Sequence, residues 1–323
     1  MPTIKKVRNW NEYNRNLEKR GEIIFHIEEE YGKKLYYQGD QKRGGLRKYT
    51  KEMYEMILIV STLLKFPLRA SVGFVKGLLY KLNGKECEVP NFGHASRMIK
   101  ELDLNIKSYT RKTDNISLCF DSTGVSIHDT SGWHQRKHGG KDKSPNERWK
   151  KVHITTDLNT GQILSMEVTE SNVNDCEVVD KMMNNLNCDK KNIKEILGDG
   201  AYDLYDLYKK GFEIGAKVIV PPDTTSKAQD ELKKGRKKLE YLKQRDETIK
   251  FIRQYENFEL GRKKWKEISG YHQRSKIEAT MFRWKRTHGF GVRYRSKESM
   301  KNEAIVKVNI LNKMIDIGRA MYY

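Results

Sequence analysis

The sequence predicts a mixed α/β protein, with a helical region over residues 1–115 and a mixed sheet flanked by helices from 116 onward. Three observations predict it. Apolar residues recur at helical spacing through "YTKEMYEMILIVSTLLKF" (49–66). From 116 the texture turns β-branched and aromatic, beginning with "ISLCFDSTGVSIHD" (116–129). After that, strand-like runs come together first and then alternate with helical ones, which suits a mixed sheet better than a doubly wound one. A chain of 323 residues suffices for one large domain with an appendage, or for two domains.

Taken in order, the helix over 49–66 carries Met53, Met56, Ile57, Val60, Leu63 and Leu64, and Pro67 stops or kinks it. Helices over 69–83 and 92–103 follow. With Gly84 in the turn between them they fit a helix-turn-helix, and a plain helical bundle equally well. "QKRGGLRKYTK" (41–51), with five basic residues and no acid, suits a phosphate-contacting arm or a solvated linker. Within 116–129, Gly124 divides two strands by a turn. "KVHITTDLNTGQILSMEVTE" (151–170) predicts a hairpin around "DLNTGQ". Residues 174–186 read as a helix, 193–200 as a buried strand ending in Asp199, 201–211 as a helix ending at Gly211, and 216–222 as a short strand closed by two prolines. The segment 221–270 is charge-dense, 14 basic against 9 acidic, and Leu239, Leu242, Ile249, Ile252 and Tyr255 suggest one long helix. A helix over 271–285 comes next. The last helix, 297–318, is amphipathic through Ala304, Val308, Leu311 and Ile315.

Composition narrows the function. The net charge of +20, with a pI near 9.6, attracts polyanions, and nucleic acid is the first candidate. A genome rich in lysine codons explains the many Lys and Asn residues but less well the clustering of charge. Cys87, Cys119, Cys176 and Cys188 have no metal-binding spacing and suggest reduced thiols. The longest apolar run, 56–64, is too short to span a bilayer, and "MPTIKKVRNW" lacks the apolar core of a signal peptide. The expectation is a soluble cytoplasmic protein, nucleoid-associated, with no membrane partner.

Carboxylates mark a candidate site. Asp121 interrupts an apolar strand, where a bare carboxylate must be exposed, paired or metal-bound. Asp199 stands where a strand runs out, the end at which functional groups collect in α/β sheets, and Gly200 leaves room for a turn and a ligand. Taken alone, Asp121 reads first as a turn residue and Asp199 as the N-cap of the helix over 201–211. The stretch "YHQRSKIEATMFRWK" (271–285) adds an independent constraint. At helical periodicity Tyr271, Arg274, Glu278 and Lys285 fall at roughly 0°, −60°, −20° and −40°, and Ile277, Met281 and Trp284 form an adjoining apolar stripe. An ordinary surface ion pair explains Arg274 and Glu278 but not the other two. Oxygen ligands from a strand middle, a strand end and a helix suit Mg²⁺, with Mn²⁺ as a substitute, and two such ions can act on a phosphodiester.

With these residues in view, the chain resembles the DDE transposases of prokaryotic insertion sequences, the group marked by a Y-(2)-R-(3)-E-(6)-K signature. Tyr271, Arg274, Glu278 and Lys285 meet every spacing. "FPLRASVGFVKGLL" (66–79), "VPNFGHASR" (89–97), "FDSTGV" (120–125), "RWKKVHITTDLNTGQIL" (148–164), "GDGAYD" (198–203) and "VIVPP" (218–222) extend the resemblance along nearly the whole chain. It implies a ribonuclease H-like fold over 116–323, with Asp121, Asp199 and Glu278 as catalytic metal ligands. It implies that Arg274 and Lys285 contact transposon-end DNA and that Tyr271 shapes that contact. The 79 residues from Asp199 to Glu278 leave room for a helical insertion over 221–270. "WHQRKHGGKDKSPNERWKK" (133–151), with 7 basic and 2 acidic residues, fits a second DNA-facing surface that includes Arg136, Lys137, Lys150 and Lys151. Trp133 and Trp265 are candidates to stack on an unpaired base, or are core residues. The implied partners are double-stranded DNA, both terminal inverted repeats and target, and a second copy of the chain in a synaptic complex. A metal-dependent nuclease of the same fold and a non-catalytic DNA-binding protein are the competing readings.

Overall fold

The structure, a computed structural model, describes residues 9–24, 26, 34–39, 48–84, 86–109, 115–127, 149–231, 238–289, 291–294 and 296–318. Most of the basic stretch 41–51, together with Trp133, Arg136 and Lys137, lies outside the described residues. The chain packs into two compact units. One draws on Met1–Tyr109, Ser126–Gly139 and Trp284–Tyr323, the other on Thr110–Val125 and Gly140–Arg283. No single helix among the described residues is long and apolar enough to cross a membrane.

The first unit is helical: α1 (Trp10–Lys19), α2 (Lys51–Leu63), α3 (Leu68–Asn83), α4 (Phe92–Glu101) and the last helix, α10 (Lys297–Ile317). Apolar α2 is buried from Met53 through Val60. The chain bends by 114° between α2 and α3, across a connection in which Lys65 takes the left-handed conformation (φ 55°) and Pro67 precedes α3. Residues 84–91 join α3 to α4, a longer connection than the three or four residues usual in a helix-turn-helix. The last helix departs from expectation. Ala304, Val308, Leu311 and Ile315 are buried, but so are Asn302, Glu303, Lys307, Asn309 and Asn312 on its other sides. Those polar groups are satisfied by backbone. Asn302 donates to the carbonyls of Ile99 and Leu102 at 2.9 and 2.8 Å, closing the end of α4. Asn309 and Asn312 bond residues 105–107, and the buried Glu303–Lys307 pair engages 291–294. These bonds tie the C-terminal helix to the N-terminal helices, so the compact units do not divide at a single cut between 115 and 116.

The second unit is built on a sheet of order β3-β2-β1-β4-β5, from β1 (Ile116–Ile127), β2 (Trp149–Asp157), β3 (Ile163–Glu170), β4 (Ile193–Leu197) and β5 (Lys217–Ile219). Strands β2 and β3 are antiparallel (Ile154↔Met166), whereas β1–β4 (Leu118↔Ile196) and β4–β5 (Ile196↔Val218) are parallel. A short β6 (Gly291–Val292) pairs with the far end of β1. This mixed order, an antiparallel hairpin beside parallel strands, is the mixed sheet flanked by helices that the sequence predicts. Phe120, Leu118, Ile196, Tyr202 and Met182 fill the core beneath it.

Three local expectations are corrected. Residues 116–127 form one continuous strand, because Gly124 keeps an extended backbone and lies under the ring of Trp149. Helix α6 (Tyr205–Ile214) runs through Gly211 and ends at Gly215, which takes the left-handed conformation (φ 71°). Gly211 serves close packing, since a Cβ there would stand 2.6 Å from Val218 Cγ2. The long helix of the charged segment is two, α7 (Lys243–Arg253) and α8 (Phe258–Ile268), separated where Asn257 accepts the Leu260 amide and restarts the helix. The short α5 (Val179–Asn184) follows β3, and α9 (Ser275–His288) follows α8.

Candidate active site

Asp121 stands where β1 leaves the core. The strand is buried from Ile116 to Phe120 and half-buried from Asp121 to Thr123. Burial raises the Asp121 pKa; the Ser122 amide and Arg274 oppose this, while Asp199 and Glu278 push it further up. Asp199 lies two residues past the end of β4. Its side chain accepts the Ala201 amide at 2.9 Å and caps the short turn Gly200–Tyr202, not the helix that follows, which starts at Tyr205. Glu278 lies in the first turn of α9, with its side chain largely exposed.

The glycine that this corner requires is Gly198. A Cβ at Gly198 would stand 2.9 Å from Tyr202 Cβ, whereas one at Gly200 would meet only ordinary contacts at 3.5 Å. The close approach therefore falls at Gly198, two residues before Gly200. Tyr202 wedges beneath the turn, its ring 5.5 Å from that of Phe120.

The three acids meet at one cation. Arg274 Nη2 lies 3.5 Å from Asp121 Oδ2 and 3.9 Å from Asp199 Oδ2, and Nη1 lies 3.0 Å from Glu278 Oε1. Arg274 closes the 3₁₀ turn Tyr271–Arg274 that precedes α9. Tyr271 and Arg274 therefore lie outside the α-helix, and only the spacing from Ser275 onward follows its periodicity. Ile277, Met281 and Trp284 are buried, as the apolar stripe predicts. Tyr271 is half-buried, its ring 5.8 Å from Trp265 and 5.2 Å from Lys266 Nζ. Trp265 is buried, a core residue, and is not placed to stack on a base. Lys285 lies two turns beyond Glu278 on α9, and burial lowers its amine pKa.

The basic strand residues are engaged by acids. Lys150 pairs with Glu170 at 2.5 Å across the hairpin, and Lys151 with Asp175 at 3.1 Å. Around Asp175 lies a cluster to which sequence reasoning assigned no role. Fully buried His153 places Nδ1 2.9 Å from Asp175 Oδ1 and Nε2 2.9 Å from Thr169 Oγ1. Burial alone would raise the Asp175 pKa, but the polar groups of His153, Ser122 and Lys151 beside its carboxylate outweigh it and pull it down to about 2. Ser122 is the neighbour of Asp121, so this cluster anchors the strand beside the site. The available signal was a histidine inside the β-branched run "KVHITT". A second missed feature is Asp203, which Arg245 grips with two bonds of 2.8 Å.

Among the described residues no three His, Cys, Asp or Glu side chains are gathered closely enough to hold one ion as they stand. The donor set nevertheless fits a divalent cation. Three carboxylates on three separate elements reach one positive centre, and all their ligand atoms are hard oxygens.

The transposase DDE domain family model matches residues 113–313, and a second model of the same description matches residues 18–130. Among solved structures, the chain is similar to a piggyBac transposase synaptic complex with hairpin DNA. The identity is 10%, with 98% of this chain and 77% of that one covered and a TM-score of 0.41. It is similar also to a Drosophila P element transposase strand transfer complex, at 13% identity, 83% and 65% coverage and a TM-score of 0.24. The family match spans the sheet, all three acids and Arg274, and on it the chain belongs to the DDE transposases, metal-dependent enzymes that cleave DNA and transfer its strands in transposition.

Proposed function

We propose that this chain is the transposase of a prokaryotic insertion sequence, that it recognises the terminal inverted repeats of its own element, and that Asp121, Asp199 and Glu278 are its catalytic carboxylates. One observation carries the site assignment: acids from β1, from the end of β4 and from α9 all reach the guanidinium of Arg274. These acids would hold Mg²⁺, with Mn²⁺ as a substitute and two ions as the working number. When bound, the ions supply Lewis acidity that activates a water or a 3′-hydroxyl and stabilises the leaving oxygen of a phosphodiester.

The chain's own residues do the rest. Asp121 and Asp199 are fixed by the sheet and the Gly200–Tyr202 turn, and Glu278 by the buried face of α9, so all three sit on rigid supports. Arg274 and Lys285 offer cations to the phosphates of the transposon end, and Tyr271 braces the turn that carries Arg274. The helical part of the first unit is the proposed end-recognition region. Arg97 and Lys100 are exposed along α4, a suitable surface for a duplex. Two ends must be brought together before they are joined, so the working form is a homodimer or larger on DNA.

Two assays test this reading. Binding to fragments carrying the inverted repeats that flank the coding sequence should exceed binding to unrelated DNA of equal length at the same salt concentration. Cleavage at the repeat ends should require Mg²⁺ and vanish in Asp121→Asn. Equal binding to both DNAs with metal-dependent cutting of either would instead make the protein a nuclease of this fold.

A further inference from the structure

Arg274 holds an unusual position, and the inference drawn from it rests on the active-site reading above. Among the described residues it is the sole cation within ion-pair distance of Asp121, Asp199 or Glu278. One positive charge faces three negative ones. The contacts at 3.5 and 3.9 Å are longer than a good charge-assisted hydrogen bond, and Arg274 Nε is buried with no hydrogen-bond partner.

We propose that Arg274 is an internal counter-cation. In the DNA-free protein it keeps the three carboxylates together against their mutual repulsion, and it competes with a divalent ion for them. A guanidinium matches a phosphate with a planar bidentate fork better than it matches three acids it cannot reach equally. An arriving DNA end therefore offers Arg274 a better partner, and its departure frees the carboxylate oxygens. DNA binding and metal binding then reinforce each other, and the free protein carries its ions weakly.

The test is Mn²⁺ titration of the full-length protein without DNA, read by electron paramagnetic resonance, for wild type, Arg274→Ala, Arg274→Gln and Asp121→Asn. With the resident charge removed, both Arg274 variants should bind Mn²⁺ roughly tenfold or more tightly than wild type. Thermal melts run alongside show which variant is folded, and either one suffices for the comparison. Unchanged or weaker Mn²⁺ binding in a folded Arg274 variant overturns the proposal, provided Asp121→Asn loses binding. If Asp121→Asn binds Mn²⁺ as wild type does, the ions sit elsewhere and the active-site reading itself fails.

Discussion

Two arginines in the same unit meet aspartates in opposite ways. Arg245 is buried with Asp203, each side chain 7% exposed. Its Nε and Nη2 grip both carboxylate oxygens at 2.8 Å, and its remaining donors reach the Lys227 carbonyl and the Ser226 hydroxyl. One charge meets one charge and each of the three guanidinium nitrogens donates. Arg274 is shared among three acids at 3.0 to 3.9 Å, leaves Nε unpartnered and faces a Glu278 side chain that is 63% exposed. The first arrangement holds the charged segment to the turn after Asp199. The second is short of positive charge, which fits the proposed metal site. A satisfied buried pair reads as structure, and an unbalanced, half-open one reads as function.

The sharpest way to separate the two is to remove an acid from each. Glu278→Gln should lower end cleavage by at least about 10³-fold, since metal ligation contributes several kcal/mol to phosphodiester chemistry. The same change should alter unfolding stability by less than about 1 kcal/mol, because the lost ion pair is exposed. Asp203→Ala should do the reverse. It leaves a buried guanidinium unpaired and should cost about 3–5 kcal/mol in urea unfolding. Comparable stability losses in the two variants would erase the distinction. Gly198→Ala comes next. Its new Cβ would press on Tyr202, at a cost of about 1–3 kcal/mol, and should slow cleavage by displacing Asp199.

The smallest effect concerns the His153 cluster. The folded-state pKa of Asp175 is depressed from 3.8 to about 2, so its stabilisation is fully present above pH 3.8 and is lost as pH falls toward 2. The stability gap between wild type and Asp175→Asn should therefore shrink between pH 5 and pH 2 in denaturant melts. A gap that stays constant would mean that Asp175 is not held ionised by His153, Ser122 and Lys151.

Much of this was legible in the sequence. Strand texture placed Asp121 and Asp199, and the spacing of Arg274 and Glu278 placed them together, because ion-pair geometry at four residues' separation is local. The apolar stripe of α9 followed from periodicity alone. Other features depend on tertiary contact. Gly124 and Gly211 read as punctuation but serve packing against Trp149 and Val218, which no local pattern encodes. The last helix looked amphipathic because its buried asparagines find their partners about 200 residues away. The Asp203–Arg245 clamp joins residues 42 positions apart across two segments of different composition. The break before α8 was visible in Asn257, a capping residue, but was outweighed by the apolar spacing around it.

The central claim is that Asp121, Asp199 and Glu278 ligate the catalytic metal. Replacing one ligand oxygen with sulfur tests it most directly, because a thiolate binds Mg²⁺ poorly and accepts the softer Mn²⁺. Asp121→Cys should be inactive in end cleavage with Mg²⁺ and regain activity with Mn²⁺, while Asp121→Ala stays inactive with both. Equal loss of activity with both metals in the cysteine variant, or wild-type cleavage with Mg²⁺, would contradict the account.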